Sequence, residues 1–80
     1  MKVMKFYATW CGPCKSLSAT LEGMDNLPEI QEIDIDQDME TAQKYGIRSV
    51  PTMVIAADDG TEIKRMGNGS ASEIREFLEV

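Results

Sequence analysis

Cys11 and Cys14 stand with only two residues between them, at the point where a strand-like run gives way to a helical one. That placement restricts the chain more than any other feature. Val3-Met4-Lys5-Phe6-Tyr7 reads as a short, mostly apolar strand. Thr9-Trp10-Cys11-Gly12-Pro13 reads as a turn. From Cys14 to about Met24, the residues Leu17, Leu21 and Met24 recur at intervals of three and four, the apolar stripe of a helix.

The rest of the chain continues the alternation. Asn26-Leu27-Pro28 breaks the helix, and Glu29 to Ile35 reads as a second strand carrying Ile30, Ile33 and Ile35. Asp36 or Asp38 can cap a helix running to Tyr45, with Gly46 suited to its C-terminal end. Thr52 to Ala56 is a third strand, Asp58-Asp59-Gly60 a hairpin turn, and Glu62 to Met66 a fourth strand. Ser70 and Glu73 have capping-box spacing for a last helix ending at Leu78. The order is β-α-β-α-β-β-α. The first two strands, joined through a helix, should run parallel, and the last two form an antiparallel hairpin. The expected class is α/β, a mixed four-stranded sheet with helices on both faces. Eighty residues suffice for one domain over 1–80, with a small core.

Composition excludes several functions. With no histidine, neither Ser-His-Asp nor Cys-His catalysis is available, and no zinc site with imidazole ligands. Two cysteines cannot build a four-thiolate metal site in one chain. Eight basic residues against fourteen acidic ones, a net charge of −6, argue against nucleic acid and anionic membranes as partners. No apolar run approaches the roughly 20 residues of a membrane span. Met1 and Lys2 lead straight into a strand rather than a signal-peptide stretch, so a cytoplasmic protein is expected. A cysteine pair there points to redox chemistry or metal more than to a structural staple.

The spacing of the pair has a physical reason. Positions three apart share one helix face, so the two sulfurs can bond without large backbone movement. Cys11 would sit at the helix N-terminus, where unpaired N–H groups and the dipole favour an anion. Its thiol is expected to ionise more readily than a free one, with Lys15 adding a nearby positive charge. Cys14, deeper along the helix, is expected to be the more buried. Pro13 fits a first turn, where its missing N–H has no partner to lose, and Gly12 leaves the approach to sulfur open. Cys11 would attack a target disulfide and Cys14 would resolve the mixed disulfide. A structural disulfide, inert buried thiols, or half of an intermolecular metal site are the other arrangements such a pair allows.

Trp10-Cys11-Gly12-Pro13-Cys14-Lys15 resembles the active-site string of the thioredoxin family. Tyr45-Gly46-Ile47-Arg48-Ser49-Val50-Pro51-Thr52 is similar to its second signature, in which the proline is cis. Asp58-Asp59-Gly60, Met66-Gly67 and the Glu76-Phe77-Leu78 helix match the tail of the same pattern. The resemblance covers nearly the whole chain and implies a minimal thioredoxin fold that begins directly on the family's central strand. It implies Cys11 as nucleophile, Cys14 as resolving cysteine and Pro51 as the cis-proline facing the disulfide. Val50 would offer backbone N–H and C=O to an extended target segment. Trp10, Gly12, Pro13, Val50, Pro51, Met66 and Gly67 would form the docking surface, with Tyr7 beneath the loop. For Trp10 and Met66 a place in the core is an equal alternative. The resemblance further implies no bound cofactor and no metal, and electrons from NADPH through a flavin-dependent thioredoxin reductase. It implies protein disulfides as substrates, ribonucleotide reductase among them, and a monomer.

One departure stands out. The family pattern has a buried acid six positions before the first cysteine, where this chain has Lys5. It has a lysine four positions before the aspartate ending the second strand, where this chain has Glu32 if that aspartate is Asp36. The charges have exchanged places. Lys5 alternates with Val3 and Tyr7, so it should point toward the cysteine helix and take Glu32 as partner. Either that pair tunes Cys14, or Lys5 snorkels to solvent without effect on the chemistry. Asp34-Ile35-Asp36-Gln37-Asp38 only superficially resembles a calcium loop, with Met39 where glycine and Tyr45 where glutamate would stand. Two rival functions remain. One is a glutathione-dependent, glutaredoxin-like electron donor, which the length suits and the Gly12-Pro13 pair does not. The other is a redox-independent binding module on the same fold.

Overall fold

A computed structural model describes all of residues 1–80. Strand β1 spans Lys2–Tyr7, helix α1 Gly12–Glu22, strand β2 Ile30–Asp34 and helix α2 Met39–Lys44. Strand β3 spans Thr52–Ala56, strand β4 Glu62–Met66 and helix α3 Ala71–Leu78. The sheet order is β2-β1-β3-β4. β1 runs parallel to β2 and antiparallel to β3, and β3 pairs antiparallel with β4. The expected order and sheet are therefore present.

Strand alternation divides the apolar residues between two layers. On one side Val3, Met53 and Ile55 pack with Leu17 of α1 and Ile74 of α3. On the other, Met4, Phe6, Val54 and Ala56 pack with Ile33 of β2, Ala42 of α2 and Tyr45. β3 is buried along its whole length because both faces are covered.

Local chemistry sets the helix boundaries. Helix α1 starts two residues earlier than the apolar stripe suggests, because Cys11 itself is the N-cap. Of the two candidate caps for α2, Asp38 accepts the Thr41 N–H at 3.1 Å. Beyond α2, Gly46 takes φ +61°, the left-handed conformation that glycine adopts without a steric penalty. The capping box of α3 is complete: Ser70 Oγ accepts the Glu73 N–H and Glu73 Oε1 accepts the Ser70 N–H.

These caps predict an acid-sensitive stability. The Thr41 hydrogen bonds hold the Asp38 carboxyl below its ordinary 3.8, and the Ser70 bonds hold Glu73 below 4.5. A carboxylate whose native pKa is lowered contributes stability that is fully present above its ordinary value. That contribution is lost as pH falls through the lowered one. Thermal melts of the wild type should decline below about pH 4.5. Glu73→Gln, which keeps a capping hydrogen bond but cannot titrate, should shrink that decline. An identical pH profile for the variant would refute the assignment.

Candidate active site

The two cysteines are joined in a disulfide, with Cα atoms 5.3 Å apart. They form a small third cluster with Ala8, against which Tyr7, Ile35 and Val50 pack. The site therefore lies just past the end of β1, next to the layer that contains Phe6 and Tyr45. As N-cap, Cys11 has extended backbone (φ −91°, ψ 110°), and its sulfur accepts the Cys14 N–H at 3.1 Å. A backbone N–H of the first helical turn, without an intrahelical acceptor, thus points at Cys11 Sγ. Pro13 lies in that first turn, as its missing N–H permits.

The expected difference in burial between the two cysteines is absent. Cys11 is 4% exposed and Cys14 3%. The loop before β3 accounts for this, since it closes over Cys11: its sulfur lies 3.6 Å from Val50 O, and the Val50–Pro51 peptide is cis. Space opens above the intervening residues instead. A Cβ added at Gly12 would meet no atom within 4 Å, and both Gly12 and Pro13 are exposed.

The surrounding surface contains the other residues singled out from the sequence. Trp10 is 68% exposed, so it is not part of the core. Its Nε1–H donates to Asp36 Oδ2 at 2.9 Å, which lays the indole beside the loop. Met66 is half-buried against the layer containing α1 and α3. Gly67 adjoins the proline loop: a Cβ there would sit 3.9 Å from Pro51 O. Lys15 is exposed.

Lys5 points toward α1. Its Nζ donates to Ser18 Oγ at 2.5 Å and lies 2.7 Å from Glu32 Oε1 on the neighbouring strand. Lys5 and Glu32 are paired in register across β1 and β2. The ammonium is buried, while the Glu32 side chain is 59% exposed. Two contacts went unread in the sequence, Trp10 with Asp36 and Lys5 with Ser18. The second had a signal, since Ser18 lies four residues after Cys14 on the same helix face.

No group of three or more histidine, cysteine, aspartate or glutamate side chains is placed to hold a metal ion. No helix is long and apolar enough to cross a membrane.

What this corner of the molecule can do is exchange thiols for disulfides, and the chain is a thiol–disulfide oxidoreductase. Comparison with known proteins narrows the class. The Thioredoxin family profile matches residues 1–80. Thioredoxin of Staphylococcus epidermidis is 34% identical over 83 aligned positions, covering 99% of this chain and 80% of that protein. Thioredoxin of Bacillus subtilis is 44% identical over 57 positions, covering 66% of this chain and 55% of that protein. Among solved structures, a single-site mutant of thioredoxin from Halobacterium salinarum superposes with a TM-score of 0.83 at 32% identity. That match covers 96% of this chain and 70% of the other. Fasciola hepatica thioredoxin superposes with a TM-score of 0.81, also at 32% identity, covering 96% of this chain and 76% of the other. The chain belongs to the thioredoxin family.

Proposed function

We propose that residues 1–80 act as one thioredoxin-type domain that reduces protein disulfides, with Cys11 as nucleophile and Cys14 as resolving cysteine. The observation that carries this assignment is the Cys14 N–H held 3.1 Å from Cys11 Sγ. In the reduced protein that donor would favour a thiolate on Cys11 rather than on Cys14.

The Cys11 thiolate attacks one sulfur of the target disulfide. A Cys11–target bond forms, the target disulfide breaks, and the other target sulfur leaves as a thiolate that takes a proton from solvent. Cys14, having lost its proton, then attacks Cys11 Sγ. The Cys11–Cys14 bond forms and the second target thiolate departs. Two electrons pass from the dithiol to the target.

An extended target segment would lie along Val50 and cis Pro51, flanked by Trp10, Gly12 and Pro13 on one side and Met66 and Gly67 on the other. Lys15 would add positive charge at the rim. We assign the electrons to NADPH through a flavin-dependent thioredoxin reductase, and count ribonucleotide reductase among the targets. A monomer in the cytoplasm, with no bound cofactor, accords with that reading.

Equilibration in dithiothreitol and glutathione redox buffers, followed through Trp10 fluorescence, tests the proposal. A potential near about −270 mV is expected of a thioredoxin-type reductant. A value of roughly −200 to −230 mV, with turnover dependent on glutathione, would replace the reductase with glutathione. If no Cys11–Cys14 bond formed at any poise, the exchange reading would fall and a redox-independent binding module would take its place.

A further inference from the structure

The buried ammonium under the site has a partner whose role the exchange chemistry leaves unexplained. Ser18 Oγ receives an N–H from Lys5. An oxygen that accepts from an ammonium has its own O–H polarised and turned away from that donor. Elsewhere on α1 a hydroxyl donates back to the preceding turn, as Thr20 Oγ1 does to Ser16 O at 3.1 Å. Ser18 makes no such bond, so its proton is not committed to the helix backbone. Ser18 lines a solvent-open cavity of about 450 Å³ that Cys14 also lines, one helical turn earlier on the same face, and with Lys5 and Glu32 it lines a second one of about 260 Å³.

We propose that Ser18 and Lys5 are positioning residues for Cys14: Lys5 orients the Ser18 hydroxyl as a hydrogen-bond donor to the Cys14 thiolate that forms when the disulfide opens. The inference rests on the resolving role proposed for Cys14. The proton that Cys14 loses leaves through the cavity to solvent. The other titratable groups there are Lys15 and Glu22 of α1, Tyr7 of β1 and Glu32 of β2, and Cys11 lies beside Cys14. Lys5 is 3% exposed, whereas the Glu32 side chain is mostly in water. Solvent therefore screens the negative end of the pair more than the positive end, and the interior sees net positive charge. The site thus favours the thiolate by charge and hydrogen bonding, without a buried carboxylate acting as base.

The test is the ultraviolet titration of the single thiol of Cys11→Ser, alone and combined with Lys5→Met or Ser18→Ala. Circular dichroism checks the fold of each variant. Removing Lys5 should leave about tenfold less Cys14 thiolate at a given pH below the midpoint. Ser18→Ala should act in the same direction and by a smaller factor, and Lys5→Arg should restore part of the loss. Superimposable curves for Lys5→Met and its parent would overturn the proposal. So would a shift with Lys5→Met and none with Ser18→Ala, because the relay would then be idle. If Lys5→Met fails to fold, Ser18→Ala alone decides, and an unchanged curve overturns the relay. These titrations involve no disulfide. Failure of the Cys11–Cys14 bond to form in redox buffers would remove the exchange role without altering these curves.

Discussion

Cys11→Ser should reduce no protein disulfide above the uncatalysed background set by the reductant in the assay, while Cys14→Ser should stop one step later. The asymmetry follows from the helix start. Serine at the cap still accepts the Cys14 N–H, so the fold and the loop are kept, but a hydroxyl is not a nucleophile at neutral pH. With Cys14→Ser the first attack proceeds and the adduct has no internal thiol to release it. That variant should accumulate one covalently attached target per chain, visible as a mass increase that dithiothreitol reverses. The equivalent adduct on Cys11→Ser should be absent. Sustained turnover by Cys11→Ser, or trapping through Cys14 in place of Cys11, would reverse the assigned roles.

Phe6→Ala should cost about 3–5 kcal/mol of stability. Phe6 is fully buried in β1, packed between β2 and β3 and against the ring of Tyr45, with centroids 6.0 Å apart at 56°. Truncation leaves a cavity under α2 that the flanking strands cannot fill, since each is held in register by its neighbour. A domain of 80 residues has a total stability of roughly 4–12 kcal/mol, so the loss is a large share of it. The melting temperature should fall by about 15 °C or more. Exposed Ile63, on edge strand β4, serves as the contrast: Ile63→Ala should stay within roughly 0.5 kcal/mol. A Phe6→Ala protein that melts with the wild type would contradict the packing described for this layer.

Much of the architecture was legible because three kinds of signal agreed. Apolar intervals of three and four marked α1, alternation in β1 separated Met4 and Phe6 from Val3 and Lys5, and turn or cap residues fixed where elements stop. The capping box of α3 was readable from Ser70 and Glu73 alone. The direction of Lys5 followed from strand alternation, since a side chain beside Val3 and Tyr7 must face α1. What could not be read was any contact made across the sheet end. Asp36 is one of two possible helix caps by sequence, yet it accepts from Trp10 instead, because β2 runs parallel to β1 and ends beside the loop that carries the indole. The near-equal burial of the two cysteines likewise depends on the Val50–Pro51 loop, which lies 39 residues from Cys11 in the chain. Local patterns describe elements; these contacts belong to the way distant segments meet.

The Cys11–Cys14 bond closes a loop with a sequence separation of only three. Cross-links restrict the unfolded chain in proportion to the logarithm of the loop they close, so one this short restricts it less than a bridge between distant segments would. The strands and both apolar layers are held by segments outside that loop. Electron transfer and architectural integrity are thereby assigned to different bonds. The chain can open and close its disulfide at every turnover while the sheet and both apolar layers stay assembled.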